Sequence, residues 1–161
     1  MRPLSSDLRE FIHLLNTKSV KYVIVGAWAV AFHGRPRYTG DLDIFVARED
    51  TNAERLMEVI EEFGFGQTGI TRKDFLQVDH VIQLGREPNR IDILTGISGV
   101  SFDDAWDSRE HGSISEVSVY IIGRELLIKN KRAANRDQDL ADIKLLEKTR
   151  PRHGSNTTFP C

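Results

Sequence analysis

One cysteine in 161 residues, Cys161, excludes a disulfide framework and a zinc site built on thiolates. No stretch comes near the roughly eighteen apolar residues that a membrane-spanning helix needs, and the first residues lack the apolar run of a secretory signal. A cytoplasmic protein is the expectation. Charge of one sign is also missing. The 22 Lys and Arg against 24 Asp and Glu leave a net charge of −2, which gives no global attraction to nucleic acid or to an anionic membrane. Nothing resembles an RNA-binding module, and no repeat, linker or low-complexity block interrupts the chain. What is present is ordinary globular composition, 40% hydrophobic and 29% charged, in a length that suits a single domain with a real core. We expect one α+β domain over residues 1–150, followed by a patternless tail, 151–161, that is disordered.

Periodicity supplies the elements. Asp7 with Glu10 marks a helix start, and Leu8, Phe11, Ile12 and Leu15 give its apolar stripe. Residues 22–25, Tyr-Val-Ile-Val, form a buried strand that ends at Gly26, and a helix over 27–33 closes at Gly34 and Pro36. A second strand covers 42–46. Thr51 with Glu54 caps a third helix, whose inward residues run from Ala53 to Phe63 before Gly64. Further on we expect a helical turn in 70–77 and a strand over 78–84 with Asp79 and Gln83 exposed. A strand over 90–94 and a short helix over 102–106 come next. A strand over 116–122 then forms the second arm of a hairpin through Gly112. Helices over 124–134 and 137–148 finish the domain, with Asn135 and Gln138 as the cap between them.

The chemistry concentrates where Val25-Gly26-Ala27 is followed, after thirteen residues, by Asp41-Leu42-Asp43-Ile44. Residues i and i+2 of a strand share a face, so Asp41 and Asp43 project together while Leu42 and Ile44 enter the core. Two adjacent acids are costly to ionise unless a cation lies between them. Asp92, in the apolar run Ile91-Asp92-Ile93-Leu94, offers a third carboxylate from a strand that can lie alongside. It is either a third ligand or a general base. Its plain structural alternative is an exposed edge-strand acid or a partner for Arg90. The set reads as a site for Mg²⁺, with Mn²⁺ as substitute, beside the backbone amides of Gly26 and Ala27 for phosphates. Arg37 and Thr39 fall on the side of Asp41 and reach the same site if the approach is extended. His33, in the last turn of a helix, suits the negative end of its dipole better than a ligand role. Trp28 and Trp106 carry no catalytic assignment.

Together these residues resemble the signature of the nucleotidyltransferase superfamily: hydrophobic-Gly, a gap, then Asp-hydrophobic-Asp-hydrophobic. The run Ala29 to Asp41 is similar to small single-domain nucleotidyltransferases of the AbiEii and antitoxin type. Lys129 to Arg136 with Asp139 to Ile143 resembles their closing helices. The similarity covers about residues 20–148. It implies the minimal nucleotidyltransferase fold, a short mixed β-sheet flanked by helices. It also implies metal-dependent transfer of a nucleoside monophosphate from an NTP such as ATP, and it brings Lys129 and Arg132 to the triphosphate or acceptor. The family usually has a second Gly or Ser where this chain has Ala27, which offers amides but no hydroxyl.

The alternative to an enzyme is a weak or inactive nucleotide-binding module that acts through a protein partner, as an antitoxin does. Protein side chain, tRNA and small molecule are all open as acceptors. A toxin or antitoxin partner, or a homodimer through a sheet edge, is equally compatible with the sequence.

Overall fold

Four uninterrupted apolar residues make β1, Tyr22–Val25, which is buried throughout. The others are β2 (Leu42–Val46), β3 (Val81–Leu84), β4 (Ile91–Leu94), β5 (Glu110–Ile114), β6 (Val117–Ile121) and β7 (Thr157–Thr158). In this computed structural model, which describes residues 4–34, 40–66, 68–149 and 157–158, they form one mixed sheet. Its order is β3-β4-β2-β1-β6-β5-β7. β1 is antiparallel to β2 and parallel to β6, while β4 is parallel to β2 and antiparallel to β3. A mixed sheet flanked by helices is the architecture expected from the sequence. The expected disorder of 151–161 falls outside the described residues, apart from β7, which lies parallel to β5 at Gly112 and Ser113.

Helix α1 (Ser6–Thr17) buries Leu8, Phe11, Ile12 and Leu15 as its stripe requires. It starts earlier than Asp7, because the Ser5 hydroxyl accepts the Leu8 amide at 3.2 Å. Helix α2 (Gly26–His33) follows β1 without a loop and packs on β1 and β2. Helix α3 (Asp50–Phe63) has Glu49 at its cap with no side-chain bond, so Thr51 and Glu54 are not the cap. What fastens this end is the buried amide of Asn52. Its Oδ1 accepts the Lys21 amide at 2.7 Å, and its Nδ2 donates to the Lys21 and Ala47 carbonyls at 3.1 and 2.9 Å. That bond set ties the entry of β1 to the exit of β2.

In the middle, a 3₁₀ turn occupies Arg72–Leu76, and β3 begins only at Val81, after Asp79 takes φ 49°. The hairpin between β5 and β6 turns at Ser115 and Glu116, both left-handed at φ 49° and 68°; Gly112 lies within β5. Helix α4 is Phe102–Asp107, α5 is Arg124–Ala134 and α6 is Asp137–Lys148. Between the last two, Asn135 ends α5 at φ 54°, and Asp139 rather than Gln138 accepts the Arg136 amide, at 3.1 Å. Gln138 instead donates to Asp142 at 3.0 Å.

Candidate active site

Parallel pairing of β2 with β4 sets Asp43 directly beside Asp92, and Asp41 precedes Asp43 by two residues on the same side. Val25 and Gln83 complete the row across the sheet. β4 is an interior strand with β3 outside it, so Asp92 is buried rather than an exposed edge acid.

The Asp43 carboxylate lies on the turn into α2. Gly26 has φ 67°, and a methyl group there would overlap Asp43 Oδ2 and stand 3.0 Å from its Cγ. Both the left-handed backbone and the close approach demand glycine at this position. Burial, then the adjacent Asp92 charge, pushes the Asp43 carboxyl up to about 7. Burial also raises Asp41, against the pull of Arg90, and Asp41 Oδ1 is buried without a hydrogen-bond partner among the described residues.

Arg90 is the counter-charge. Its Nη2 lies 2.8 Å from Asp41 Oδ2, its Nε 3.1 Å from Asp92 Oδ1, and its Nη2 3.3 Å from Asp92 Oδ2. The Asp92 charge, followed by that of Asp41, holds the guanidinium still more firmly protonated than usual. Three carboxylates form an oxygen donor set of the kind hard divalent cations take. Among the described residues, no three acidic, His or Cys side chains already converge as a cage. Asp41 and Asp92 are turned onto Arg90.

A cavity of about 680 Å³ opens beside this row and is closed on the far side by α5 and the start of α6. The face of α5 towards it is Asn130, Lys131 and Ala134, with Arg136 next to them. Lys129 and Arg132 do not line it: Lys129 is exposed, and Arg132 pairs with Glu147 at 3.2 Å. Lys131 is buried between Asp139 and Asp142 at 3.1 and 3.2 Å, and Arg136 grips Asp139 at 2.7 Å. Burial would raise Asp139, but the bonds from Arg136 and Lys131 outweigh it and hold it at about 2. Asp139 is therefore a cap and ion-pair partner. Lys131 and Arg136 both fall in the run Lys129 to Arg136, and the phase of α5 with the turn at Asn135 decides which members face the cleft.

A smaller cavity of about 330 Å³ lies on the other side of Asp41 and Asp43, lined by Ala27, Gly40 and Glu87. Arg37 and Thr39 lie outside the described residues. The larger hollow of about 890 Å³, between α1 and β6, holds none of the acids. His33 is buried, with Nε2 2.7 Å from the Ile122 carbonyl and 3.3 Å from Glu110, which fits its structural reading. Trp28 is core.

The model of one protein family, described as nucleotidyl transferase of unknown function (DUF2204), matches residues 4–157. The chain belongs to this family. Solved structures with a similar fold include the lincosamide antibiotic adenylyltransferase LnuA, at 15% identity and a TM-score of 0.54. That match covers 91% of this chain and 99% of the other. The antibiotic-resistance factor ANT(2'')-Ia is 11% identical with a TM-score of 0.55, over 88% and 80% of the two chains. An antigenic nucleotidyltransferase-like protein from Paracoccidioides brasiliensis is 14% identical with a TM-score of 0.52, over 91% and 77%. Identities this low establish a shared fold. No curated protein matches the chain. For this nucleotidyl transferase family member, no helix among the described residues is long and apolar enough to cross a membrane.

Proposed function

We propose that this family member is a Mg²⁺-dependent nucleotidyltransferase that moves a nucleoside monophosphate from an NTP to an acceptor hydroxyl. The observation that carries the reading is the register of Asp43 with Asp92, with Asp41 two residues away and the Gly26 turn packed against Asp43. Asp41, Asp43 and Asp92 would hold the metal, and Mn²⁺ would substitute. The fit rests on an all-oxygen donor set, on the buried Asp41 Oδ1 with no hydrogen-bond partner among the described residues, and on an Asp43 carboxyl that burial and Asp92 make hard to ionise without a cation. When bound, the metal neutralises the charge that builds on the phosphates.

The chain's own groups do the rest. The amides of Gly26 and Ala27 open α2 and would be the donors for phosphate, which needs N–H groups rather than a hydroxyl. Arg136, at the cleft wall, supplies positive charge for the triphosphate, with Lys131 behind it. The acceptor oxygen attacks the α-phosphorus, the bond to the bridging oxygen breaks, and pyrophosphate leaves. Asp92 serves as ligand or takes the acceptor's proton. Arg37 and Thr39 stay as proposed nucleotide contacts to be tested by substitution, while Lys129 and Arg132, off the cleft lining, would reach only a nucleotide or acceptor that extends beyond it. The reading places the protein in the cytoplasm, with ATP among its candidate donors. Two of the similar folds are an adenylyltransferase of lincosamide antibiotics and an antibiotic-resistance factor, which keeps small molecules beside proteins and tRNA as acceptors. A toxin–antitoxin pairing and a homodimer are the partner arrangements to be tested alongside.

The test is incubation of cell extract with α-labelled or γ-labelled NTPs and Mg²⁺, with wild-type protein or the Asp43→Ala variant. Label transferred from α only, and only with Asp43 intact, supports the reading, and the labelled fraction names the acceptor class. Nucleotide binding with no transfer into protein, RNA or small molecules points instead to a binding module that works through a partner.

A further inference from the structure

Arg90 occupies the place between two acids where a cation belongs. It touches both Asp41 and Asp92, at 2.8 and 3.1 Å, through Nη2 and Nε of one rigid guanidinium. A divalent cation and this guanidinium cannot both take the same carboxylate oxygens, and like charges a few ångströms apart repel strongly. The side chain is 31% exposed and stands just before β4, so it can leave towards solvent without disturbing the core. Its remaining Nη1 already points at Glu87, 3.6 Å away and outside the acid row.

Resting on the metal reading above, we infer that Arg90 is a resident counter-cation that keeps the acids from taking up Mg²⁺ until a nucleotide arrives. Without nucleotide, Arg90 neutralises Asp41 and Asp92 and suppresses metal binding. A triphosphate brings phosphate oxygens that accept the guanidinium in bidentate fashion, which frees the two carboxylates for the metal that travels with it. Metal and nucleotide therefore load together. Arg90 is a positioning residue: it sets the order of binding rather than acting on the reacting atoms.

The experiment is Mn²⁺ binding to wild type, Arg90→Gln and Arg90→Lys, measured by the electron-spin resonance signal of free Mn²⁺ without nucleotide. The same proteins are then titrated calorimetrically with Mn²⁺ and an α,β-methylene NTP. Arg90→Gln should bind Mn²⁺ alone roughly tenfold or more tightly than wild type, the factor a unit charge near a dication gives even in a water-like medium. Arg90→Lys should fall between them, since a point charge cannot span both carboxylates. It also keeps the test open if the Gln variant unfolds. Adding Asp43→Asn should abolish the gain. Equal Mn²⁺ affinities in wild type and both variants, without nucleotide, overturn the gating role while leaving the metal site standing. No Mn²⁺ binding by any of the proteins, with or without the analogue, overturns the metal reading itself.

Discussion

Substituting Gly26 with Ala probes the contact on which the site is built. Two costs combine. Holding an L-residue in the left-handed region costs about 1–2 kcal/mol, and Gly26 sits there at φ 67°. The new methyl would also overlap Asp43 Oδ2, which forces the carboxylate off its rotamer at about 0.5–1.5 kcal/mol. The sum is about 1.5–3.5 kcal/mol, or about 3–14 °C in Tm for a chain of this size. Thermal unfolding in EDTA reads it directly. The double variant with Asp43→Ala separates the two parts. With the carboxylate gone only the backbone cost remains, so the Gly26→Ala penalty should shrink to about 1–2 kcal/mol. Nucleotidyl transfer should fall much further than stability does, because the displaced group is one of the three acids. A Gly26→Ala protein with unchanged Tm, or with the same penalty in both backgrounds, would refute the packing of Asp43 on the turn.

Other consequences follow from the same geometry. In the unfolded chain Asp43 ionises near its ordinary value of 3.8, whereas in the fold it holds its proton to about 7. The folded state therefore carries the extra proton between those values, and metal-free stability should decline as pH rises from about 4 to 7, then level off. Asp43→Asn should remove that slope when Tm is followed across pH; a slope that survives would assign it to other groups. Asp139→Ala leaves buried Lys131 with only Asp142 and releases Arg136, so a loss of about 3–5 kcal/mol is expected in denaturant titration, with a raised KM for NTP. Arg136→Ala should raise KM for NTP more than Arg132→Ala does, because Arg136 lines the cleft and Arg132 does not; the reverse order in steady-state kinetics would contradict the cleft as the nucleotide site.

Strand and helix positions were legible wherever one pattern dominated. The run 22–25, the alternation across 41–44 and the stripe of α1 each leave a single way to bury their apolar residues. Caps were less legible, since several short polar residues compete near each helix start. Ser5 wins over Asp7 at α1, and Asp139 over Gln138 at α6. Asn52 was invisible as a tie because its partners, Lys21 and Ala47, are distant in sequence or on a strand end. The shared face of Asp41 and Asp43 and the turn at Gly26 could be read because both follow from local spacing, whereas the place of Asp92 beside Asp43 depends on the β2–β4 pairing. Arg90 was readable only as a neighbour of Asp92. Its reach across to Asp41 depends on the parallel β2–β4 register, a pairing between strands nearly fifty residues apart. The cleft-facing choice of Lys131 and Arg136 over Lys129 and Arg132 depends likewise on how α5 docks beside the sheet.

The most direct single measurement is anomalous diffraction from crystals grown with Mn²⁺ and a non-hydrolysable NTP. Manganese bound by Asp41, Asp43 and Asp92, in contact with the triphosphate and with Arg90 moved off Asp41, is the expected result. Nucleotide bound elsewhere, or bound with no manganese at these acids and Arg90 still bridging Asp41 and Asp92, would contradict the assignment of this site as the centre of nucleotidyl transfer.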